Sequence, residues 1–319
     1  DYELNQIFFE DLNLRAPDYY LESAREDLGE TIGNVIAKSY KLLKELKPDA
    51  LLILGDTNSA LAAISAKRLK IPVFHMEAGN RCWDWNVPEM VNRTIVDHIA
   101  DINLPYTENS RRYLLSEGID GKTIFVTGSP MHEVISKNIE RIKNSDVLTR
   151  LNLEKDKYII VSAHREENID IEENFAELVN SINEIAEKYK VPVIYSTHPR
   201  TRKFIDKRKI SFHPLVQNVK PLGFLDYVKL QANALLVLSD SGTLTEESAI
   251  LGFPGVLIRT STERPEGLDA GTIVVGGIKS RDVLSAAELS VKISKERSLL
   301  KLPIDYETTD VLTKVVKAI

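Results

Sequence analysis

The sequence of 319 residues contains a single cysteine, Cys82. One thiol cannot form an intrachain disulfide, which excludes a disulfide framework and is typical of proteins that work in a reducing compartment. Long apolar runs are also missing, since none approaches the ~18 residues that a membrane-spanning helix needs. Basic residues are not in excess: 41 Lys and Arg stand against 47 Asp and Glu, a formal net charge of −6, which disfavours nucleic-acid binding. We therefore expect a cytoplasmic globular protein that binds neither membranes nor nucleic acid.

The common cofactor and metal motifs are absent as well. No G-x-G-x-x-G follows an apolar run, so nothing supports a nicotinamide or flavin dinucleotide site. Gly121-Lys122-Thr123 resembles the end of a phosphate-binding loop, but Ser116 occupies the place of its first glycine. The six histidines show neither H-E-x-x-H nor a Cys/His metal spacing. We expect no redox cofactor and no metal.

Dividing the length by ~150 residues per domain predicts two domains. Short apolar runs alternate with amphipathic stretches of helical length, which is typical of βαβ units with a parallel sheet covered on both faces. Two such series predict two doubly wound, Rossmann-like domains of the α/β class, with a boundary near residues 129–153. The predicted strands lie at 50–55, 72–77, 101–105 and 124–128, and then at 158–163, 192–197, 234–239, 254–259 and 272–276.

Ionisable groups follow nearly every predicted strand. In open α/β sheets, ligands bind beyond the carboxyl ends of the strands, so this succession of polar strand ends predicts a functional crevice between the two domains. The segments concerned begin at Asp56, Glu77, His164, His198, Asp240 and Glu263.

The segment Asp240-Ser241-Gly242-Thr243 connects one of these strands to a predicted helix that carries Glu246 and Glu247. Its serine or aspartate could simply cap the helix. Alternatively, free N–H groups and the positive end of the helix dipole bind a phosphate, and the glycine lets the backbone approach it closely. The two glutamates either reach ribose hydroxyls or only favour the helix N-terminus electrostatically. The residues alone leave both interpretations open.

Three carboxylates, Asp56, Glu77 and Glu89, lie at or just after two consecutive crossovers of the first domain. Carboxylates that lie close together raise one another's pKa and can serve as acid and base. The alternative is that each one caps a helix or pairs with Arg81 or Arg93. Both interpretations remain open for each residue.

The histidines divide into two groups by position. His164 and His198 follow predicted strands and are candidates for stabilising developing charge. His75 lies inside an apolar run, which favours a hydrogen-bonded core residue. The basic stretch 200–209 is expected to be a solvated face, and Cys82 is expected to be a packing residue.

Taken together, these segments resemble the non-hydrolysing UDP-N-acetylglucosamine 2-epimerase family, over about residues 1–277. The resemblance implies a glycosyltransferase-B-like pair of Rossmann-like domains with the active site in the cleft between them. It implies an N-terminal domain at 1–130, completed by a C-terminal helix at 305–319, a UDP-binding domain at 131–304, and a homodimer. The matching segments are G-D-T at 55–57, H-M-E-A-G-N-R at 75–81, P-E-M-V-N-R at 88–93, V-T-G at 126–128, A-H-R at 163–165, S-D-S-G at 239–242, E-E at 246–247 and T-E-R-P-E at 262–266.

Within the family, the sequences of three segments are most similar to the branch that acts on UDP-2-acetamido-2,6-dideoxy-L-talose. That branch yields UDP-N-acetyl-L-fucosamine for capsule or O-antigen polysaccharide. The segments concerned are M-E-A-G-N-R-C at 76–82, G-S-P-M at 128–131 and S-T-H-P-R at 196–200. The N-acetylglucosamine branch more often has V-E-A-G-L-R-T and T-G-N-T. A UDP-N-acetylglucosamine/UDP-N-acetylmannosamine 2-epimerase, a UDP-sugar glycosyltransferase and a UDP-sugar-binding regulator remain alternatives.

The resemblance also implies a mechanism and roles for single residues. UDP is eliminated to leave a 2-acetamidoglycal, and it adds back after protonation on the opposite face. Asp56, Glu77 and Glu89 match the acid/base carboxylates, and His164 matches the histidine that assists departure of the diphosphate. Ser241 and Gly242 would hold phosphate, Glu247 the ribose, and Arg264 the diphosphate or its surroundings. The remaining substrate-binding candidates are Arg81, His198 and Tyr227.

Two departures from the family pattern stand out. The family begins with a strand and a G-T-R-P-E loop that brings basic groups to the diphosphate, and neither has a counterpart in these residues. The first domain is therefore expected to lack that strand and its phosphate clamp. Met90 stands where the family usually has a second glutamate, whereas the first, Glu89, is retained.

Overall fold

The computed structural model describes residues 6–294 and 302–319, which divide into two compact units. The N-terminal unit comprises residues 17–133 and 304–319, and the C-terminal unit comprises the described parts of 1–16 and 134–303. Helix α1 (Gln6–Asp11) lies in the C-terminal unit, where Asp11 Oδ2 accepts the Leu225 N–H at 3.1 Å. Residues 6–16 thus lie in the other unit from the one that the sequence indicates.

The N-terminal unit contains a parallel three-stranded sheet in the order β1 (Leu51–Leu54), β2 (Val73–Met76), β3 (Ile102–Leu104). The predicted strand at 124–128 is reduced to one parallel bridge between Asn103 and Ile124. Its helices are α2 (Leu28–Leu46), α3 (Ala62–Arg68), α4 (Pro88–Ile99), α5 (Glu108–Ser116) and the last helix of the chain, α15 (Val311–Ala318), with α6 (Met131–Asn144) beginning at the unit's end.

Successive residues of these strands pack on opposite faces of the sheet, as strand geometry requires. Val73 packs in a cluster with residues of α3 and α4. Phe74, the next residue, packs with Leu104 and with Val311 and Val315 of α15. Helix α15 therefore covers the second face of a sheet whose strands come from the first third of the chain.

The C-terminal unit contains a parallel six-stranded sheet in the order β6–β5–β4–β7–β8–β9. The strands are β4 (Ile159–Ser162), β5 (Val193–Ser196), β6 (Val216–Val219), β7 (Leu236–Ser239), β8 (Gly255–Leu257) and β9 (Val274–Val275). The helices are α7 (Val147–Arg150), α8 (Glu166–Ile169), α9 (Glu172–Tyr189), α10 (Pro199–Arg208), α11 (Phe224–Asn233), α12 (Leu244–Leu251), α13 (Pro265–Asp269) and α14 (Ser280–Ser294).

Both faces of this sheet are buried. Ile159 and Val161 pack in one apolar cluster and Ile160 in another, which is the alternation of a strand covered on both sides. The spatial order of the six strands is the doubly wound order. From β4 the chain adds strands towards one edge of the sheet as far as β6, and then returns to add β7, β8 and β9 on the other side of β4. The predicted class is confirmed: the protein is an α/β protein with two parallel-sheet, Rossmann-like units. None of the helices in residues 6–294 and 302–319 is long and apolar enough to cross a membrane.

Candidate active site

Asp56 and Glu77 come together in the N-terminal unit because they follow two neighbouring strands. Strands β1 and β2 pair in parallel with Leu54 opposite Met76, so both chains leave the sheet at the same edge. Arg93 of α4 connects the two side chains: its Nη2 forms an ion pair with Asp56 Oδ2 and lies 3.6 Å from Glu77 Oε1. The guanidinium is buried, whereas the two carboxylates keep some exposure. A positive charge thus holds two partly accessible carboxylates side by side.

Glu89 lies in the first turn of α4, the helix that carries Arg93. Pro88 occupies the first turn of the helix, where its missing N–H leaves no hydrogen bond unmade. Glu89 precedes Arg93 by four residues, so the two lie on the same face of the helix, one turn apart. Met90, in contrast, is 2% exposed and packs inward, so it occupies a core position of the helix and leaves the carboxylate of Glu89 as the acidic group of this turn.

The backbone at Glu77 has the left-handed conformation, with φ 62°. This conformation costs roughly 1–2 kcal/mol for a residue with a Cβ atom. Gly55, the residue before Asp56, leaves room for the Glu77 carboxylate, because a Cβ at Gly55 would lie 3.2 Å from Glu77 Oε2. The strained turn after β2 and the small residue after β1 together let the Glu77 carboxylate lie over the end of β1.

A buried charge network lies behind these carboxylates. Asp97 of α4 accepts hydrogen bonds from His75 Nδ1 at 2.8 Å and from the Gly79 N–H at 3.1 Å, and its Oδ2 lies 2.7 Å from Arg81 Nη2. Burial alone would raise the pKa of Asp97, but the hydrogen bond and charge of His75 and the charge of Arg81 outweigh it, so the pKa lies below the usual value. His75 is fully buried with both ring nitrogens bonded, which confirms the predicted core histidine.

The structure disagrees with the prediction that Arg81 binds substrate. Arg81 is 1% exposed. Its Nε and Nη2 donate to Glu117 at 2.7 Å, and its Nη1 donates to the Asn80 carbonyl at 3.0 Å. Despite burial, the hydrogen bonds and charges of Glu117 and Asp97 raise its pKa. Arg81 stabilises the loop that follows Glu77 and presents no surface to a ligand.

In the C-terminal unit, the site begins where the strand order reverses, between β4 and β7. Asp240 follows β7 and is fully buried. Its Oδ2 accepts hydrogen bonds from the N–H groups of His164 and Arg165, each at 2.8 Å, and from Asn168 Nδ2 at 3.0 Å. Asp240 therefore holds the loop after β4 and does not cap α12, which settles one of the two interpretations left open for it.

His164 and His198 are brought together by the neighbouring strands β4 and β5. Their rings stack with centroids 5.5 Å apart and an interplanar angle of 21°. His198 Nδ1 accepts the Arg200 N–H at 3.1 Å as the N-cap of α10, so the hydrogen of a neutral His198 is on Nε2. His164 stays 44% exposed at its side chain, which leaves its ring accessible to a ligand.

The turn at Ser241 and Gly242 precedes α12, which begins at Leu244 with Thr243 as its N-cap. The Ser241 hydroxyl lies 3.0 Å from the Thr243 hydroxyl. A Cβ at Gly242 would lie 2.5 Å from Arg264 Nη1, so the glycine admits the guanidinium close to the backbone. Arg264 is buried and donates from Nε to Glu246 Oε2 at 2.8 Å. Arg264 thus lies directly behind the proposed phosphate turn.

Glu247 and Tyr227 form the inner wall of this part of the unit. Glu247 is buried and its Oε2 accepts from Gln231 Nε2 at 2.6 Å. Burial, with a further contribution from Glu246, raises the pKa of Glu247 above its usual value, against the hydrogen bonds of Gln231 and Thr243 and the charge of Arg264. Burial and the charges of Glu247 and Asp240 raise the pKa of Tyr227, which keeps its hydroxyl neutral as a hydrogen-bond donor. Within residues 6–294 and 302–319, no group of three His, Cys, Asp or Glu side chains could hold a metal ion.

Comparisons with known proteins show the family of this chain. A family profile described as UDP-N-acetylglucosamine 2-epimerase matches residues 1–319. The chain belongs to this family. A UDP-N-acetylglucosamine 2-epimerase of Methanocaldococcus jannaschii is 36% identical over 303 residues, which cover 92% of this chain and 82% of that protein.

Two solved structures of epimerases extend the likeness to the whole fold. The UDP-N-acetylglucosamine 2-epimerase of Rickettsia bellii has 42% identity and a TM-score of 0.89, with 99% of this chain and 85% of that one covered. The Methanocaldococcus jannaschii enzyme in complex with UDP-GlcNAc and UDP has 33% identity and a TM-score of 0.92, with 99% and 88% covered. The predicted family is thus confirmed, and the narrower L-talose branch stays a prediction.

Three residues of this candidate site have more contacts in the structure than the sequence indicates. Arg93 was considered only as a neutralising partner, and Asp97 had no role. A signal was available: Glu89, Arg93 and Asp97 are spaced by four residues, which places them along one face of α4. The contact of the buried Asp240 with the loop after β4 is not predicted, because it depends on strand order and not on local sequence.

Proposed function

We propose that this epimerase inverts C2 of a UDP-2-acetamido sugar by elimination and re-addition of UDP. The observation that carries the proposal is the carboxylate cluster of the N-terminal unit, where Arg93 holds Asp56 beside Glu77 one helical turn from Glu89. Proton removal from one face and return to the other needs more than one acid/base group at the same carbon. Two carboxylates at one guanidinium, with a third carboxylate one turn away on the same helix, supply such groups.

The chemistry explains why the nucleotide has to leave. The C2 proton of a 2-acetamido sugar is not acidic, so direct removal is unfavourable. When the C1–O bond breaks, its electron pair goes to the UDP oxygen, C1 becomes oxocarbenium-like, and a carboxylate takes the C2 proton to form the 2-acetamidoglycal. A carboxylic acid then protonates C2 from the opposite face while the UDP oxygen re-forms the bond to C1. We assign these proton transfers to Asp56, Glu77 and Glu89.

The residues of the C-terminal unit fit the nucleotide. Charge that develops on the leaving diphosphate needs fixed N–H groups and cations. The half-exposed His164 supplies a ring N–H, and the turn at Ser241 and Gly242 supplies backbone N–H groups, with the Arg264 guanidinium behind it. Glu247 is the proposed acceptor for the ribose hydroxyls, and Tyr227 and His198 lie beside the nucleotide. These roles need no redox cofactor and no metal.

For the sugar, we propose the 6-deoxy-L-talo substrate and hence UDP-N-acetyl-L-fucosamine as product, for capsule or O-antigen polysaccharide. The support is the amino-acid sequence of the segments at 76–82, 128–131 and 196–200. The names of the relatives favour UDP-N-acetylglucosamine as the alternative. We also propose a homodimer, as the family resemblance implies, which sedimentation of the purified protein would test.

The deciding experiment is incubation with each UDP-sugar in deuterium oxide without any acceptor. Deuterium at C2, followed by the epimer, supports the epimerase. Transfer that occurs only after an acceptor is added, with no label at C2, would show a glycosyltransferase, and tight binding without turnover would show a regulator. The ratio of kcat/KM for the 6-deoxy-L-talo and D-gluco substrates decides the sugar: a ratio below one rejects the L-fucosamine assignment.

A further inference from the structure

One oxygen of the buried Asp240 carboxylate lacks a hydrogen-bond donor among the described residues. Oδ2 accepts three hydrogen bonds, from the His164 and Arg165 N–H groups and from Asn168. Oδ1 is buried and accepts none from any residue in 6–294 and 302–319. It lies 3.6 Å from His164 Nδ1. A buried carboxylate oxygen without a donor is costly, and the imidazole is the group placed to supply one.

The other charged and titratable groups around His164 are already engaged. His198 stacks on its ring but directs Nδ1 to the Arg200 N–H. Arg165 Nε donates to the Asp240 carbonyl at 3.1 Å, and the Arg200 guanidinium is ion-paired with Glu166 and Asp170.

Two tyrosines, Tyr195 and Tyr227, are close enough to Asp240 to be affected by its charge. The Tyr195 hydroxyl donates to the Ala163 carbonyl at 3.2 Å. Burial, with a smaller contribution from the charge of Asp240, raises the pKa of Tyr195, and Asp240 also contributes to the raised pKa of Tyr227. Both hydroxyls therefore stay neutral over the working range, and neither competes with Asp240 as the anionic partner of the imidazole.

We propose that Asp240 is a positioning residue for His164: its Oδ1 accepts the Nδ1–H of the imidazole, which leaves Nε2 as the ring nitrogen that meets the leaving diphosphate. A small rotation of the half-exposed ring closes the 3.6 Å separation, as catalytic contacts that are long without substrate shorten when it binds. When Nε2 takes up a proton from solvent, the carboxylate stabilises the imidazolium that forms, and its Nε2–H donates to the phosphate oxygen. Asp240 itself takes no proton and forms no bond. The role at the diphosphate rests on the proposed function; the tautomer does not.

The variant Asp240→Asn is a specific test, because the surrounding hydrogen-bond donors fix the orientation of its side-chain amide. Three N–H donors surround the present Oδ2, so the single oxygen of asparagine stays with them and its NH2 group faces His164 Nδ1. An NH2 group can only donate, so the imidazole has to accept at Nδ1 and carry its hydrogen on Nε2. The substitution thus inverts the tautomer with little change in shape, as an aspartate-to-asparagine substitution does in the triad of serine proteases.

The test is the nitrogen chemical shifts of the His164 ring in the ligand-free protein labelled with 15N-histidine, with His164→Gln to assign the signals. We expect the Nδ1–H tautomer at alkaline pH in the wild type and the Nε2–H tautomer in Asp240→Asn. An Nε2–H tautomer in the wild type overturns the proposal without reference to any variant. Asn168→Ala is the matched control, because it removes a donor to Oδ2 and leaves Oδ1 in place; an inverted tautomer there would mean that general damage, not Oδ1, sets the ring.

Activity then separates this proposal from the proposed function. If both hold, Asp240→Asn lowers the rate of C2 deuterium exchange by roughly 10²–10⁴-fold, mainly in kcat, while UDP affinity stays within a few-fold. If the tautomers are as expected but the wild type shows no C2 exchange, the Asp240–His164 contact is supported and the proposed epimerase reaction is contradicted. Exchange that survives a confirmed inversion of the tautomer rejects the catalytic role of the contact.

Discussion

His75 Nδ1 lies 2.8 Å from Asp97 Oδ1 in the core of the N-terminal unit, and both side chains are buried. The other ring nitrogen, Nε2, lies 2.8 Å from the Gly55 carbonyl oxygen. Each ring nitrogen of His75 therefore has an oxygen partner inside the core. The contact ties the residue before Asp56 to helix α4, and thereby fixes the end of β1 relative to Arg93.

Asp97→Asn is expected to destabilise the protein and to change its response to acid. The pKa of Asp97 is below its usual value in the folded state, so Asp97 stabilises the fold at neutral pH, and that contribution is lost as the pH falls below ~4 through the lower folded pKa. Removing the charge leaves His75 buried without its carboxylate and Arg81 with Glu117 as its remaining ion-pair partner, and breaking a buried charge network of this kind costs about 3–5 kcal/mol. Urea titrations at pH 7 and at pH 3 would show a large difference between wild type and variant at pH 7 that shrinks in acid.

Asp101→Asn is the matched control for that measurement. Asp101 follows α4 and pairs with Lys67 at 2.7 Å, but both side chains are substantially exposed. An exposed pair contributes only about 0–1 kcal/mol, and an asparagine oxygen can still accept the Val73 N–H that Asp101 Oδ2 accepts at 2.8 Å. Equal losses in the two variants would contradict a special role for the buried network.

Asp56→Asn and Glu89→Gln are each expected to abolish C2 deuterium exchange while UDP affinity stays within a few-fold. Both carboxylates belong to the N-terminal unit, and the residues proposed for the nucleotide belong to the C-terminal unit. Exchange measured by mass spectrometry and UDP binding measured by calorimetry separate the two effects. Loss of UDP binding in both variants would contradict the assigned roles.

The N-terminal half of the site shows what local sequence can and cannot predict. The strand ends at Asp56 and Glu77 were recognised because buried strands have a clear apolar pattern. Arg81 was misjudged because a guanidinium beside a site looks the same in sequence whether it faces the ligand or, as here, Asp97 and Glu117. The partners that decide between the two lie 16 and 36 residues away.

The sheets show a similar division. The central strands of the C-terminal unit were predicted because they are apolar on both faces. Strand β6 was not predicted: it lies at the edge of the sheet, and its Gln217 and Asn218 are exposed, so it has no apolar run. At 124–128 the apolar run predicted a strand, but the structure has only one bridge there, and Phe125 is 48% exposed. An edge strand pairs with one neighbour only, and polar side chains such as Gln217 and Asn218 protect its open edge from pairing with another chain.

Arg93→Lys is expected to lower the exchange rate far more than it lowers stability. One ammonium is a compact charge and lacks the planar fork that lets a guanidinium contact two carboxylates and the Asn80 carbonyl together. We expect kcat to fall by at least roughly 10-fold, because Asp56 and Glu77 would no longer be held in the orientation that proton transfer needs. The urea midpoint of unfolding is expected to change little. Exchange at the wild-type rate would mean that Asp56 and Glu77 need no bridging cation.

Gly242→Ala is expected to weaken UDP binding by several-fold. A Cβ at this position would lie 2.5 Å from Arg264 Nη1, and the arginine is buried in its ion pair with Glu246, so the guanidinium or the turn has to move. Gly33→Ala is the control, because a Cβ there has no neighbour within 4 Å in α2 and should stabilise the protein by about 0.5–1 kcal/mol. Calorimetry with UDP and thermal unfolding of both variants check this. Unchanged UDP affinity in Gly242→Ala would place the diphosphate away from the turn at Ser241.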